Sequence, residues 1–177
     1  MGYDRISRIL HWLTVVIVLT MIPAGLIMAD TENRALQDIL FIFHKNTGAL
    51  LIVLLAIRLS WRVTHPAPPL PAAMPAAQKA AAKVSHFALY LLLVVMAVSG
   101  YVRVRAGGFP IEMLDALGVP SFVPRDEALA ERAKSIHATA KFTLIFFIVL
   151  HIGAASYHGL IRRDGVFSRM WPPAGRA

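Results

Sequence analysis

Four stretches of this chain are too long and too evenly apolar to be the buried faces of soluble helices. They cover residues 9–28, 39–61, 85–104 and 135–161. About 20 consecutive apolar residues cross a bilayer as a helix, and each stretch reaches that length. A soluble helix alternates an apolar stripe with a polar face, whereas these are apolar nearly all round. Together they predict an all-α fold, an integral membrane four-helix bundle in a single domain of 177 residues. The composition agrees: 57% of residues are hydrophobic, 16% are charged and mean hydropathy is +0.61. A soluble domain of this size could not hide so much apolar surface, and disorder is excluded by the same figures. The first stretch follows Arg5 and Arg8 as a signal peptide would, but it is too long for one and lacks a small-residue cleavage motif, so it reads as a retained span.

Two connections are long. Residues 64–84 hold five prolines between Pro66 and Pro75, which predicts an extended strap and then a short interfacial helix. Residues 105–134 mix glycine, proline and charge, as an ordered loop with one or two surface helices would.

The formal charge of +8 would suggest nucleic acid in a soluble protein. Its placement points elsewhere. With the N-terminus inside, Arg5, Arg8, Arg58, Arg62, Lys79, Lys83, Arg162, Arg163, Arg169 and Arg176 lie on the cytoplasmic side, against Asp4 and Asp164. The outer side holds eight cations and eight acids. The positive-inside rule therefore puts both termini of a multi-pass membrane protein in the cytoplasm. The excess charge faces one leaflet, membrane lipid is its partner, and no nucleic acid is required.

Histidines carry the chemistry. Of seven, only His65 lies clearly outside a span. One histidine in a membrane helix is explained by a hydrogen bond to a neighbouring helix, but six in four helices are not. Helices rise 1.5 Å per residue, so direction fixes depth. His44 and His137 fall about 6 Å and 3 Å below the outer surface, and His11 and His151 both fall about 24 Å below it. His86 and His158 fall together at the inner boundary. His137, His151 and His158 are spaced fourteen and seven residues apart, which keeps them on one helix face.

Zinc would need three or four ligands at one depth, with carboxylates or thiolates; the chain has no cysteine. Two-histidine pairs between helices suit haem b, with its porphyrin in the apolar interior. The inner haem iron would be held by His11 and His151, and the outer by His44 and His137. Two such haems form an electron path across the bilayer. His86 and His158 could hold a third haem, but at the headgroup boundary they better suit quinone binding and proton exchange. Arg58, fourteen residues after His44 on the same face, is a candidate partner for a haem propionate, or a side chain reaching to the interface. Gly48 and Gly100 are small positions where a porphyrin or helix can approach; Gly25 and Gly153 fit that reading and ordinary packing equally.

Six motifs carry a family resemblance: R-I-S-R-I-L-H-W-L (5–13), H-K-N-T-G-A-L (44–50), R-L-S-W-R-V-T-H-P-A-P-P-L-P (58–71), H-F-A-L-Y (86–90), I-H-A-T-A-K (136–141) and L-H-I-G-A-A-S-Y-H-G-L-I-R-R-D-G-V-F-S-R-M-W-P (150–172). In combination they resemble the bacterial cytochrome b-561 family, whose members are four-helix dihaem proteins of the inner membrane. The resemblance implies the same four haem ligands. Among the members it is most similar to is superoxide oxidase, which implies oxidation of periplasmic superoxide to O₂ and reduction of ubiquinone. The family's double histidine near the end of the fourth helix is here His158-Gly159. Lys45, Arg103, Arg105, Lys134 and Lys141 could then draw superoxide to the outer haem, or form a salt-bridged rim with the acids of that side. The rival reading is an anchor and conduit that accepts electrons from a periplasmic dehydrogenase or cytochrome c. A small transporter using membrane histidines would carry no haem.

Overall fold

The computed structural model describes residues 2–171; Arg176, counted above on the cytoplasmic side, lies outside them. Five α-helices follow in order: α1 (Arg5–Asp30), α2 (Arg34–Thr64), α3 (Ala76–Ala106), the short α4 (Glu112–Ala116) and α5 (Glu127–Ser156). The chain leaves α5 through a π-helical segment, Tyr157–Arg162, and ends its described part near a 3₁₀ turn, Phe167–Arg169. No strand occurs among the described residues. Four helices are long and apolar enough to cross a membrane.

All four long helices outrun the apolar stretches at one or both ends, and in three of them a polar side chain caps the start beyond the apolar limit. Asp4 accepts the Ser7 backbone N–H at 2.8 Å and opens α1, Asn33 accepts that of Leu36 at 3.1 Å and opens α2, and Asp126 accepts that of Leu129 at 2.9 Å and opens α5. Each satisfies one of the backbone donors that a helix start leaves unpaired. Burial pulls the Asp4 carboxyl upward, but the bonds from Ser7 and Trp61 outweigh it and hold the group below its ordinary value. The helix α3 begins nine residues before the apolar stretch, since the residues following Pro75 are mostly alanine, the best helix former.

The helices pack as two hairpins, α1 along α2 and α3 along α5, joined more loosely where α2 meets α3. Between α1 and α5 there is no close backbone interface. The central core, Val18, Leu51, Leu55, Leu93, Ala97 and Leu144, fills the middle of the bundle. A second cluster, Ala49, Val104 and Ile111, lies under the connection containing α4. Large apolar side chains such as Val16, Val53, Phe142 and Val149 stay more than half exposed, as lipid-facing positions must.

The first and last described residues and the proline strap gather at one end of the bundle, here the terminal end. The Tyr3 N–H donates to the Arg169 carbonyl at 3.1 Å, Arg169 donates to the Pro69 carbonyl, and Trp12 donates to the Met170 carbonyl at 2.9 Å. The opposite, loop end carries α4. Asn46 bonds both the Glu112 side chain and the Met113 backbone, fastening the short helix to α2.

Candidate functional site: paired histidines at two levels

The rings that depth brings together do lie together. His11 of α1 faces His151 of α5 with ring centres 6.2 Å apart, and His44 of α2 faces His137 of α5 at 6.3 Å. Each pair joins one hairpin to the other. On α5, Leu144 of the central core stands seven residues from each histidine, so the pairs are separated by about 21 Å of packed apolar side chains.

The spacing fits a metal ion held between two imidazoles. A ring nitrogen stands about 2 Å from such an ion, and about 1.2 Å more reaches the ring centre, giving roughly 6.4 Å across the pair. The ring orientation also fits at the loop end. Nδ1 of His137 is 3.1 Å from the Met96 carbonyl and 3.1 Å from the Ser99 hydroxyl. Donating its Nδ1–H to the carbonyl leaves the Nε2 lone pair free to ligate. Nδ1 of His44, beside the Met21 carbonyl, is buried and makes no hydrogen bond of acceptable geometry. Gly25 and Gly100 make room for these rings. A Cβ on Gly25 would stand 3.0 Å from His44 Cε1, and one on Gly100 3.2 Å from His137 Cε1.

At the pair nearer the terminal end, Arg58 places Nη2 3.0 Å from Nδ1 of His11. Arginine has only donors, so Nδ1 accepts here and a neutral ring keeps its proton on Nε2. Ligation through Nε2 requires Arg58 to give up this contact. The Tyr90 ring, 5.0 Å from the same guanidinium, offers it a second resting place.

The third pair differs from the depth estimate. His86 stands against His151 at 5.5 Å, while His158 meets Tyr157 and Asp164 instead. The early start of α3 is the reason: ten residues precede His86 in the helix, lifting it about 15 Å above the helix start. His158 sits in the π-helical segment, whose wider turn breaks the 3.6-residue phasing that would keep it in line with His151. Its Nδ1 meets Asp164 at 2.7 Å. Burial raises the Asp164 carboxyl, but the His158 and Val166 bonds prevail and hold it below its ordinary value. Gly159, where the family has its second histidine, gives its space to Phe167, whose ring atoms would lie 3.1 Å from a Cβ.

The five cations expected on the outer side separate into two groups. Lys45 is buried and paired with Glu112 at 2.6 Å, Arg105 with Asp115 at 2.6 Å, and Lys134 with Glu131 at 3.0 Å. Arg103 and Lys141 form no ion pair among the described residues. The charge of Arg103 acts on both outer histidines and that of Lys141 on His137. Neither Ser99 nor Asp164 was foreseeable as a histidine partner. Ser99 needs the rotation of α3 against α5, and Asp164 needs the π turn.

Comparison with known proteins finds relatives along nearly the whole chain. Cytochrome b561 homolog 2 of Escherichia coli (strain K12) is 34% identical over 175 residues, 95% of this chain and 90% of the relative. Cytochrome b561 homolog 1 of the same organism is 27% identical, over 96% and 97%. A Yersinia pestis protein named probable superoxide oxidase CybB is 24% identical, over 96% of each chain. The profile of the prokaryotic cytochrome b561 family matches residues 2–173, nearly the full length, and the chain belongs to that family.

Proposed function

We propose that this protein, in keeping with its family's haem-based electron transfer across the membrane, oxidises superoxide at the loop end and reduces ubiquinone at the terminal end. The loop end is periplasmic and the terminal end cytoplasmic in this reading. The observation that carries it is the pair of two-histidine sites at two levels, each bridging the hairpins. His44 with His137 and His11 with His151 would hold two haem b groups. Haem b, when bound between two imidazoles, supplies reversible one-electron chemistry and offers no open iron position for a gas.

The overall reaction balances as two superoxide ions, one quinone and two protons giving two O₂ and one quinol. Each superoxide loses one electron, and the quinone gains two electrons and two protons. Arg103 and Lys141 supply the attraction for an anion at the outer site, because the other three cations are neutralised by their acids. His86, touching His151, and His158, oriented by Asp164, are the polar groups proposed to receive the quinone head and pass protons to it. Superoxide as donor rests on the family resemblance and on the most distant of the three relatives.

The test is stopped-flow reduction of the purified, haem-loaded protein by superoxide, with and without ubiquinone. Rapid reduction, followed by reoxidation only when quinone is present, is expected. Reduction no faster than in protein-free buffer would sink the superoxide reading.

One observation favours the conduit instead. Leu117 and Phe122, at 71% and 77% exposure, place apolar surface on the loop end where a periplasmic dehydrogenase or cytochrome c could dock. That reading gives fast reduction by the partner protein and none by superoxide.

A further inference from the structure

At the terminal end a groove of about 520 Å³ opens between α2 and α3. Arg62 of α2 and Lys83 of α3 stand on its lining, with His86, Phe87, Tyr90 and Leu91 among the residues that complete it. Its wall belongs to the inner histidine site. His86 lies against His151, and the Tyr90 ring carries Arg58, which reaches His11.

Charge is layered along this groove. Lys83, Phe87, Tyr90, Leu91 and Val94 recur at helical spacing on one face of α3, the cation towards the terminal end and the apolar residues towards the middle of the bundle. No acid lines the groove, and neither Arg62 nor Lys83 forms an ion pair among the described residues. A second contact of Arg62 is with the Tyr3 ring, 5.7 Å away, which leaves its charge uncompensated.

A porphyrin held between His11 and His151 would lie in the gap between the hairpins, with its rim directed to a seam between helices. The rim of haem b is apolar except for two carboxylates on one edge. A groove with apolar walls, two cations and no acid complements that edge in both charge and number. Arg58, facing His11 and Tyr90, is set back behind this wall. Resting on the haem reading above, we propose that Arg62 and Lys83 take the two carboxylates of the inner haem, with the groove between α2 and α3 receiving that edge of the porphyrin. Arginine matches a carboxylate in a two-pronged fashion, and lysine supplies a point charge for the second.

The test compares wild type with Arg62→Gln, Lys83→Gln and the double variant, each purified in detergent with its haem. Three quantities are read: haem per chain, the midpoint potentials of both haems, and the resonance Raman bands of the propionate groups. Because all four histidines remain, two haems per chain are expected throughout. One midpoint should fall while the other stays, since removing positive charge disfavours adding an electron. The propionate bands should move in each single variant and further in the double one, while the conservative Arg62→Lys should restore most of the wild-type signal. If the double variant does not accumulate, the single variants decide by the same readings.

Wild-type bands and both wild-type potentials in haem-loaded variants would overturn the proposal. Loss of a co-purifying anionic phospholipid in native mass spectra, with those readings unchanged, would assign the groove to a lipid headgroup instead. A wild-type protein that binds no haem would fail at the earlier step, and so is distinguishable from failure of this one.

Discussion

At the scale of single residues, glycines report where the rings need space. Sequence alone left Gly25 and Gly153 between cofactor and packing roles. The structure separates them: a Cβ on Gly25 would press on His44, whereas nothing stands within 4 Å of one on Gly153. Gly25→Val and Gly100→Val should displace the outer rings and lower haem content from two per chain towards one. Gly153→Ala should keep both haems and stabilise α5 by up to about 1 kcal/mol, the helix-propensity difference. A haem assay on folded protein, with thermal unfolding alongside, checks all three. His151→Ala should remove the inner haem and leave the outer; two haems in that variant would overturn the pairing. The inner level was less legible at this scale, because the contact of Arg58 with His11 depends on two side-chain rotamers that no spacing rule supplies.

At the scale of elements, α4 is a latch rather than a loose loop. Lys45 and Arg105 hold Glu112 and Asp115, while Asn46 bonds the α4 backbone. Burial raises the Glu112 carboxyl, but the Lys45 and Asn46 bonds overcome it; the Arg105 bond leads in lowering Asp115. Both folded-state values therefore lie below the ordinary ones. Such groups contribute stability that is full above the ordinary values of 4.5 and 3.8 and is lost as pH falls through the lower folded ones. The latch should stay shut at neutral pH and open only in acid, which hydrogen exchange of residues 107–118 can follow. Glu112→Gln leaves a buried ammonium without its counter-charge. Since the carboxylate is 44% exposed, the loss should be about 1 kcal/mol rather than the several of a fully buried pair, or roughly fivefold faster exchange in α4.

The same elements mark the limit of sequence reading. Apolar length located the four helices but not their ends, because caps such as Asp126 and the alanines after Pro75 extend helices into polar sequence. That extension moved His86 along its helix to His151. The π turn moved His158 out of phase. Both displacements arise at helix termini, where periodicity is weakest.

At the scale of the whole molecule, the proposed oxidation of superoxide turns on the field at the loop end. With Lys45, Arg105 and Lys134 in ion pairs, Arg103, which forms none among the described residues, is a cation acting on both His44 and His137. Arg103→Gln should slow reduction by superoxide about tenfold and flatten its dependence on ionic strength, as loss of electrostatic steering does. Rates with a neutral one-electron donor should not change. An equal loss with both donors would point to a disturbed haem site rather than to steering.

By itself the sequence determined the four apolar helices and the shared levels of His11 with His151 and of His44 with His137, because the rise per residue is fixed by backbone geometry and direction alternates from span to span. Only the tertiary structure decided lateral partners: His86 with His151, Asp164 with His158, and which outer-side cations stand in ion pairs. Those depend on helix rotation and on the exact helix ends, which packing between helices sets and the chain's own periodicity does not.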